Sequence, residues 1–440
     1  MQPLSGRAAA LLVLSRVLDG ATLDTAWAEL PRDPPIPERD KAFARRLVLV
    51  TLRRMGQIDD VIRRCLDQPL QRRRGNIRDI LRVGACQLLF LDTPSHAAVD
   101  ATVLLAEGSP LKGLVNAVLR RLAREGKAML SPREAPRLNM PDWLWRQLRD
   151  AWNEETARAV SNAHMGEPPL DLTVKSDGAG WATRLGGNLL PTGSVRLRNV
   201  SSVADLPGYA DGEWWVQDTS AALPARLLTG ILPPGSRVAD LCAAPGGKTA
   251  QLAAAGLSVT AVDVSPERLV RLRTNLTRLK LTAEVVANYA ETWRPEALLD
   301  GVLVDAPCTA TGTIRRNPEI PWIKDATAAA GLRATQDTLL EHAGTLVREG
   351  GVIAYAVCSL DQSEGEHRVA AFLGRHPEFE RVPVTEADVG GLAEVVSPAG
   401  DLRALPNHLG HIGGMDGFYA ARLRRIAAPA TGILAAPSPS

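Results

Sequence analysis

Two cysteines in the second half of the chain each follow an apolar, strand-like run. Cys308 ends the run Val302-Leu-Val-Asp-Ala-Pro-Cys, and Cys358 ends the run Gly350-Gly-Val-Ile-Ala-Tyr-Ala-Val-Cys. The ends of parallel strands meet at one edge of a sheet, so we expect both thiols and Asp305 at one site. Each cysteine alone is more often a small buried hydrophobe, but two thiols beside a carboxylate favour covalent, nucleophilic chemistry.

A third motif precedes these two and is typical of a cofactor turn. Residues 238–249 read Val-Ala-Asp-Leu-Cys-Ala-Ala-Pro-Gly-Gly-Lys-Thr, which predicts a strand, a Gly-Gly turn and a helix. Asp263 ends the next strand, 17 residues after Gly246, where a carboxylate can accept hydrogen bonds from ribose hydroxyls. The motif is neither GxGxxG nor GxxxxGK[ST], which disfavours a nicotinamide site and a phosphate loop. The pattern indicates a nucleoside cofactor.

Together the motifs DLCAAPGGKT, DAPCTATG and YAVCSL resemble those of the Sun (RsmB-type) family of RNA cytosine-5 methyltransferases, in the family's order. Supporting resemblances lie at residues 216–220, 314–318 and 414–419. The front of the chain is similar to NusB-type RNA-binding domains, through residues 39–45, 81–86 and 113–121. This arrangement implies an enzyme that methylates carbon 5 of a cytosine in RNA, with 16S rRNA as the expected substrate.

The resemblance also implies the site residues. It makes Cys358 the nucleophile, Cys308 the thiol that assists product release, and Asp305 a neighbour of both the cofactor and the target base. S-adenosyl-L-methionine is the implied cofactor, held by Cys242, Ala243, Ala244, Pro245, Gly246, Gly247, Lys248, Asp263, Asn288 and Asp305. Asn288 replaces the family's usual acidic residue, and its amide oxygen can still accept from an adenine amine.

Some alternatives stay open on the sequence alone. The residues themselves leave the roles of the two cysteines interchangeable, because cytosine-5 enzymes acting on DNA use the Pro-Cys thiol as nucleophile. A tRNA cytosine-5 methyltransferase is an alternative, and the NusB-like front favours rRNA only by family analogy. The other alternative is a non-catalytic RNA-binding or assembly factor, which the joint presence of Asp305, Cys308 and Cys358 disfavours.

The elements that must position these residues follow from apolar spacing. Residues 1 to about 125 predict helices only, and these pack as a bundle because short helices need one another's apolar faces. From Trp214 to Arg424 strand-like and helical stretches alternate, which predicts a parallel, doubly wound sheet. Strands are expected at Leu170–Val174, Val195–Leu197, Val238–Leu241, Ser258–Asp263, Ala283–Ala287, Gly301–Asp305 and Val352–Val357.

The sequence therefore predicts a multidomain protein. An all-α NusB-like RNA-binding bundle spans 1–127, and a small α+β linker or RNA-binding module spans 128–207. An α/β, Rossmann-like class I methyltransferase domain spans 208–425, and a disordered tail rich in Ala, Pro and Ser spans 426–440.

Composition sets the remaining expectations. The chain of 440 residues is 45% hydrophobic and 23% charged, which excludes a largely disordered protein. Five scattered cysteines without a CxxC pair, and histidines without ligand spacing, lead us to expect neither a disulfide framework nor a metal. No apolar run reaches the ~18 residues of a membrane span, and no signal peptide is recognisable. We expect a cytoplasmic monomer.

The charge is distributed unevenly. Residues 1–130 carry 21 Lys or Arg against 14 Asp or Glu, a net of +7, and the remainder carries 30 against 35, a net of −5. The run Arg72 to Arg74 lies in the basic part, which favours an RNA partner for the front of the chain. Arg315, Arg316 and Lys324 follow the second motif and are candidates for phosphate contacts.

Overall fold

The computed structural model describes residues 4–31, 33–70 and 76–426, which fold into two compact units. The first unit contains the chain up to Pro168 with the later segments 313–327 and 410–413. The second contains 169–312, 328–409 and the chain from Gly414. The predicted arginine run 72–74 and the tail beyond residue 426 lie outside the described residues.

The first unit is helical, as its apolar spacing predicts. Leu14, Leu47, Leu81 and Leu119 are fully buried in its aliphatic core. Its helices are α1 (Gly6–Leu18), α2 (Leu23–Ala28), α3 (Glu38–Arg53), α4 (Met55–Cys65), α5 (Ile77–Phe90), α6 (Ser95–Leu104), α7 (Lys112–Met129), α8 (Ala135–Leu138), α9 (Asp142–Ala151), α10 (Glu154–His164) and, from the later segment, α15 (Ile320–Ile323).

The later segment 313–327 belongs to this first unit and packs against its core. Trp322 and Ile323 pack against the bundle, and Nε1–H of Trp322 donates to the carbonyl oxygen of Leu52 at 3.0 Å. Arg315 is 1% exposed, and its guanidinium donates to the carbonyl oxygen of Gly413 at 2.6 Å. The expectation that Arg315 contacts an RNA phosphate is therefore wrong, because its charge is used inside the fold.

The second unit begins with a small antiparallel sheet. Its elements are β1 (Leu170–Val174), α11 (Gly178–Arg184), β2 (Asn188–Leu189), β3 (Val195–Leu197) and β4 (Trp214–Val216), with strand order β2-β3-β1-β4. Leu172, Val195 and Trp214 are fully buried beneath it. The structure thus divides the segment 128–207 after Pro168: α8, α9 and α10 join the first unit because α8 packs on α4, while the strands join the second.

The larger sheet of the second unit has the strand order β10-β12-β9-β8-β5-β6-β7. Its strands are β5 (Arg237–Leu241), β6 (Ser258–Asp263), β7 (Glu284–Ala287), β8 (Leu299–Asp305), β9 (Val347–Val357), β10 (Phe379–Arg381), β11 (Leu402–Ala404) and β12 (Phe418–Arg425). The helices that accompany it are α12 (Leu223–Thr229), α13 (Gly247–Ala254), α14 (Pro266–Leu279), α16 (Ala329–Leu346) and α17 (Glu366–Arg375).

Strands β5 to β9 pair in parallel, which confirms the predicted Rossmann-like class. The antiparallel strand β12 pairs with β9 and extends the parallel sheet into a mixed sheet. The carboxyl ends of β5, β6, β8 and β9 lie at one edge and present Cys242, Asp263, Asp305 and Cys358. In the part of the chain that the structure describes, no helix is long and apolar enough to cross a membrane.

Candidate active site

Cys308 and Cys358 lie side by side beyond the ends of β8 and β9. Their Sγ atoms are 3.4 Å apart, both thiols are free, and both line one cavity of about 460 Å³. A hydrogen bond to Cys358, burial and the charge of Cys358 raise the pKa of Cys308 well above its ordinary value. Cys308 is therefore held as a neutral thiol that can donate a hydrogen bond to Cys358.

Cys242 lines the same cavity but differs in its chemistry. Burial, followed by the charges of Asp305 and Asp263, raises the pKa of the Cys242 thiol to about 12. This thiol stays neutral at physiological pH and serves as an apolar part of the wall.

The turn between β5 and α13 brings backbone N–H groups to this edge. Gly246, the N-cap of α13, has a φ of +100°, and a Cβ there would lie 2.9 Å from Cγ of Leu272. Glycine fits both the conformation and the space. The first N–H groups of a helix lack intrahelical partners, so the start of α13 offers hydrogen-bond donors and a favourable dipole to an anionic ligand group.

Asp263 is 1% exposed at the end of β6 and lines the cavity. Its carboxylate accepts from the N–H groups of Ala244 at 3.1 Å and Ser265 at 3.0 Å, which fixes it against the turn. Arg268 Nη1 lies 3.2 Å from Asp263 Oδ2, and the Arg268 side chain is 54% exposed. Arg268 Nη2 also donates to the carbonyl oxygen of Ala244, so a ligand that binds Asp263 in place of Arg268 must compete with a guanidinium held at two points.

Asp305 and Lys248 form an ion pair at the end of β8. Lys248 Nζ donates to Asp305 Oδ2 at 2.7 Å, with side-chain exposures of 11% and 31%. Burial alone would lower the pKa of Lys248, but the charge and hydrogen bond of Asp305, with smaller contributions from Asp240 and Cys358, raise it. The ammonium group also lies 4.9 Å from the ring centre of Phe418, so Asp305 and this ring together hold a cation beside the cavity.

The structure places six of the twelve predicted site residues in the wall of one cavity, and the turn residues Ala243, Pro245, Gly246 and Gly247 are not part of that wall. The wall consists of Cys242, Ala244, Asp263, Val264, Arg268, Tyr289, Ala290, Glu291, Asp305, Ala306, Pro307, Cys308, Ala310, Leu339 and Cys358. Lys248 reaches the site through Asp305. Asn288 is not part of this wall, and its side-chain oxygen accepts from the N–H of Tyr289 at 2.8 Å.

Some wall residues were not predicted from the sequence. Arg268 could not be recognised as a site residue, because an arginine in the first turn of a helix is usually an ordinary surface residue. Tyr289, Ala290 and Glu291 follow β7, and their position after a strand end was the only available indication. A contact between Asn288 and adenine remains a prediction.

Comparison with known proteins identifies the family of this chain. The family model described as 16S rRNA methyltransferase RsmB/F matches residues 231–424, and the NusB family model matches residues 5–124. Ribosomal RNA small subunit methyltransferase B of Pseudomonas putida is 36% identical over 96% of this chain and 99% of its own length. The protein of the same name from Serratia proteamaculans is 33% identical over 95% of this chain and 98% of its own length.

A solved structure shares the fold. The crystal structure of PH0851 matches with a TM-score of 0.72 at 23% identity, over 96% of this chain and 100% of that chain. The order of the matched families, a NusB domain followed by a methyltransferase domain, is the order that the sequence predicts. The resemblance is thereby confirmed, and with it an enzyme whose cofactor is S-adenosyl-L-methionine: the chain belongs to the 16S rRNA methyltransferase RsmB/F family.

Proposed function

We propose that this enzyme methylates carbon 5 of a cytosine in 16S rRNA through a covalent bond between Cys358 and carbon 6. The observation that carries the proposal is the pair of sulfur atoms, 3.4 Å apart, in a cavity that Asp263 and Asp305 also line. The relatives are small-subunit ribosomal RNA methyltransferases, which supports 16S rRNA over tRNA as the substrate.

The residues present fit the cofactor. When bound, S-adenosyl-L-methionine supplies an electrophilic methyl group and leaves as a neutral thioether. Asp263 would accept hydrogen bonds from the ribose hydroxyls in place of Arg268, and the start of α13, at Gly247 and Lys248, would receive the methionine end through its N–H groups. The cavity of about 460 Å³ lies within the usual range for small-molecule sites, and Val264, Ala290 and Leu339 give it apolar walls.

Carbon 5 of cytosine is a poor nucleophile until the conjugation of the ring is broken. The Cys358 thiolate adds to carbon 6, and the electrons of the C5–C6 double bond then form the new bond from carbon 5 to the methyl group. Asp305 holds the amino edge of the base, while Lys248, paired with Asp305, places positive charge where negative charge builds on the ring.

Product release needs a base for the proton on carbon 5. Once Cys358 is bonded to carbon 6, it no longer opposes ionisation of Cys308 by its charge or its hydrogen bond. Cys308 then loses its proton to solvent and takes the proton from carbon 5. The C5–C6 double bond re-forms, and Cys358 leaves as a thiolate. One proton is released per methyl group transferred, so the cycle closes with both thiols in their starting states.

The cysteine roles are tested with two single variants and RNA substrate. Cys358→Ser should abolish methyl transfer and give no covalent adduct, because a neutral hydroxyl is a far weaker nucleophile than a thiolate. Cys308→Ser should accumulate a protein–RNA adduct that survives denaturing electrophoresis. Cys65→Ser, in the first unit, is the matched control and should behave as wild type. An adduct with Cys358→Ser alone would reverse the two roles, and unchanged turnover in both variants would refute the covalent mechanism.

The substrate is tested by bisulfite sequencing of total RNA from a deletion strain. Loss of one protected cytosine in 16S rRNA, restored by the wild-type gene and not by Cys358→Ser, is the expected result. Loss of a protected cytosine in tRNA would instead identify tRNA as the substrate. An unchanged pattern would favour a non-catalytic RNA-binding factor.

A further inference from the structure

A buried carboxylate lies behind the cysteine pair and binds both cysteine loops. Glu364 is fully buried, six residues after Cys358 in the chain. Its Oε1 accepts from the backbone N–H of Thr309 at 3.0 Å, and its Oε2 accepts from the Thr309 hydroxyl at 2.5 Å. The same Oε2 accepts from the Ser359 hydroxyl at 2.5 Å. Thr309 and Ser359 directly follow Cys308 and Cys358.

A second buried side chain completes the hold on Cys308. Gln336, which is fully buried on α16, donates from Nε2 to Glu364 Oε1 at 3.0 Å. The same nitrogen donates to the carbonyl oxygen of Pro307 at 2.9 Å. The residue before Cys308 and the residue after it are therefore both tied, directly or through Gln336, to one carboxylate.

The two hydroxyls also contact each other across the loops. Oγ of Ser359 lies 3.0 Å from Oγ1 of Thr309, and the backbone N–H of Gly312 donates to the carbonyl oxygen of Cys358 at 3.0 Å. Hydrogen bonds to a carboxylate in a buried site are stronger than those between neutral groups. Glu364 therefore holds the two loops at a fixed distance from each other. Glu364 does not line the cavity, so it is not placed to exchange a proton with the substrate.

We propose that Glu364 is a positioning residue for the thiol pair: by tying the loop after Cys308 to the loop after Cys358, it fixes the separation of the sulfur atoms that product release requires. This inference rests on the proposed covalent function. Glu364 acts through Cys308 and Cys358 and does not itself touch the substrate. Its negative charge also contributes to holding Cys308 in the neutral form, after the larger effects of Cys358 and burial.

Glu364→Gln keeps the shape of the side chain but removes the charge and one acceptor oxygen. The variant should bind cofactor as wild type does and form the Cys358 adduct, while release slows by about 10- to 100-fold, the range expected when a reacting group is misplaced by about 1 Å. Adduct should therefore accumulate in single-turnover reactions, as with Cys308→Ser. Asp388→Asn is the matched control, because that carboxylate binds Arg422 and Thr385 instead.

A second readout separates positioning from general loss of packing. Alkylation by iodoacetamide, followed at the Cys308 peptide by mass spectrometry across pH, should begin at lower pH in Glu364→Gln than in wild type or Asp388→Asn. Should Glu364→Gln fold poorly, Thr309→Val and Ser359→Ala each remove a hydroxyl donor and leave the acid in place. Each should accumulate adduct to a smaller extent.

The outcomes distinguish this inference from the proposed function. Wild-type enzyme that methylates without forming any adduct would refute the covalent function itself. Wild-type enzyme that forms and releases an adduct, with Glu364→Gln releasing it equally fast and alkylating at the same pH, would overturn the positioning role alone. So would a fall in activity without adduct accumulation, because that result assigns Glu364 to stability only.

Discussion

Asp240 in β5 provides a direct test of how strongly burial opposes charge beneath the site. The residue is fully buried, Thr249 Oγ1 donates to its Oδ2 at 2.6 Å, and its Oδ1 has no hydrogen-bond partner within the described chain. Burial raises the pKa of Asp240 from 3.8 to about 7, although the hydrogen bond from Thr249 acts in the opposite direction. We predict that Asp240→Asn removes a pH-dependent loss of stability.

The sign follows from proton binding. Between pH 3.8 and about 7 the folded protein holds a proton at Asp240 that the unfolded chain has released, so the free energy of unfolding falls as pH rises. The stabilisation is complete below pH 3.8 and is lost as pH rises through about 7. At about 1.4 kcal/mol per pKa unit this amounts to about 4 kcal/mol, of which about 3 kcal/mol falls between about pH 5 and about pH 8.5.

Urea unfolding followed by tryptophan fluorescence at pH 5, 7 and 8.5 measures the effect. Asparagine can still accept from Thr249, and its amide adds a cost that is the same at every pH, so only the change in the difference from wild type is informative. Relative to wild type, Asp240→Asn should gain about 3 kcal/mol from the lowest to the highest pH. A difference that is constant across the three pH values would refute the reasoning.

Asp300→Asn is the control for that experiment. Burial would raise the pKa of Asp300, but hydrogen bonds from Arg237 N–H and Arg348 lower it overall. A carboxylate with a lowered pKa contributes stability that is lost only as pH falls below the unfolded value of 3.8. Its difference from wild type should therefore stay constant over the same pH range.

Three further substitutions test the site and the RNA contact. Asp263→Ala should weaken S-adenosyl-L-methionine binding in calorimetry by about 10- to 100-fold, as expected for lost hydrogen bonds to a charged acceptor, whereas the exposed Glu267→Gln should bind normally. Gly312→Ala would place a Cβ 2.0 Å from the carbonyl oxygen of Gly417 and should cost about 1–3 kcal/mol in urea unfolding; stability equal to wild type would contradict this packing. Arg124→Ala, at an exposed position of α7, should reduce the slope of log RNA affinity against log salt by about 1, and an unchanged slope would exclude a phosphate contact there.

Much of the catalytic sheet could be predicted because its strands are short, apolar and end at polar residues. The strand Ser258–Asp263 has the predicted bounds. The pairing of Cys308 with Cys358 also followed from strand ends, since the carboxyl ends of parallel strands share an edge.

Other features depend on tertiary contacts that no local pattern carries. The ion pair between Lys248 and Asp305 joins residues 57 positions apart, and Glu364 is linked to Thr309 across 55. In the sequence Arg315 resembles a nucleic-acid contact, because nothing in the neighbouring residues shows that the side chain is buried by the fold. The antiparallel β12 was missed for a related reason: its pairing with β9 is set by the sheet edge that β9 leaves open.

The discontinuity of the first unit has a consequence for how the protein is made. Trp322 and Ile323 pack against the core of a bundle whose other helices lie before residue 168. A nascent chain that has left the ribosome only as far as Pro168 lacks these two side chains and the hydrogen bond from Trp322 to Leu52. By the time Ile323 emerges, the strands up to β8 have emerged as well. The last contacts of the first unit can therefore form only after much of the second unit has been translated, whereas the N-terminal domain of a multidomain chain usually folds first.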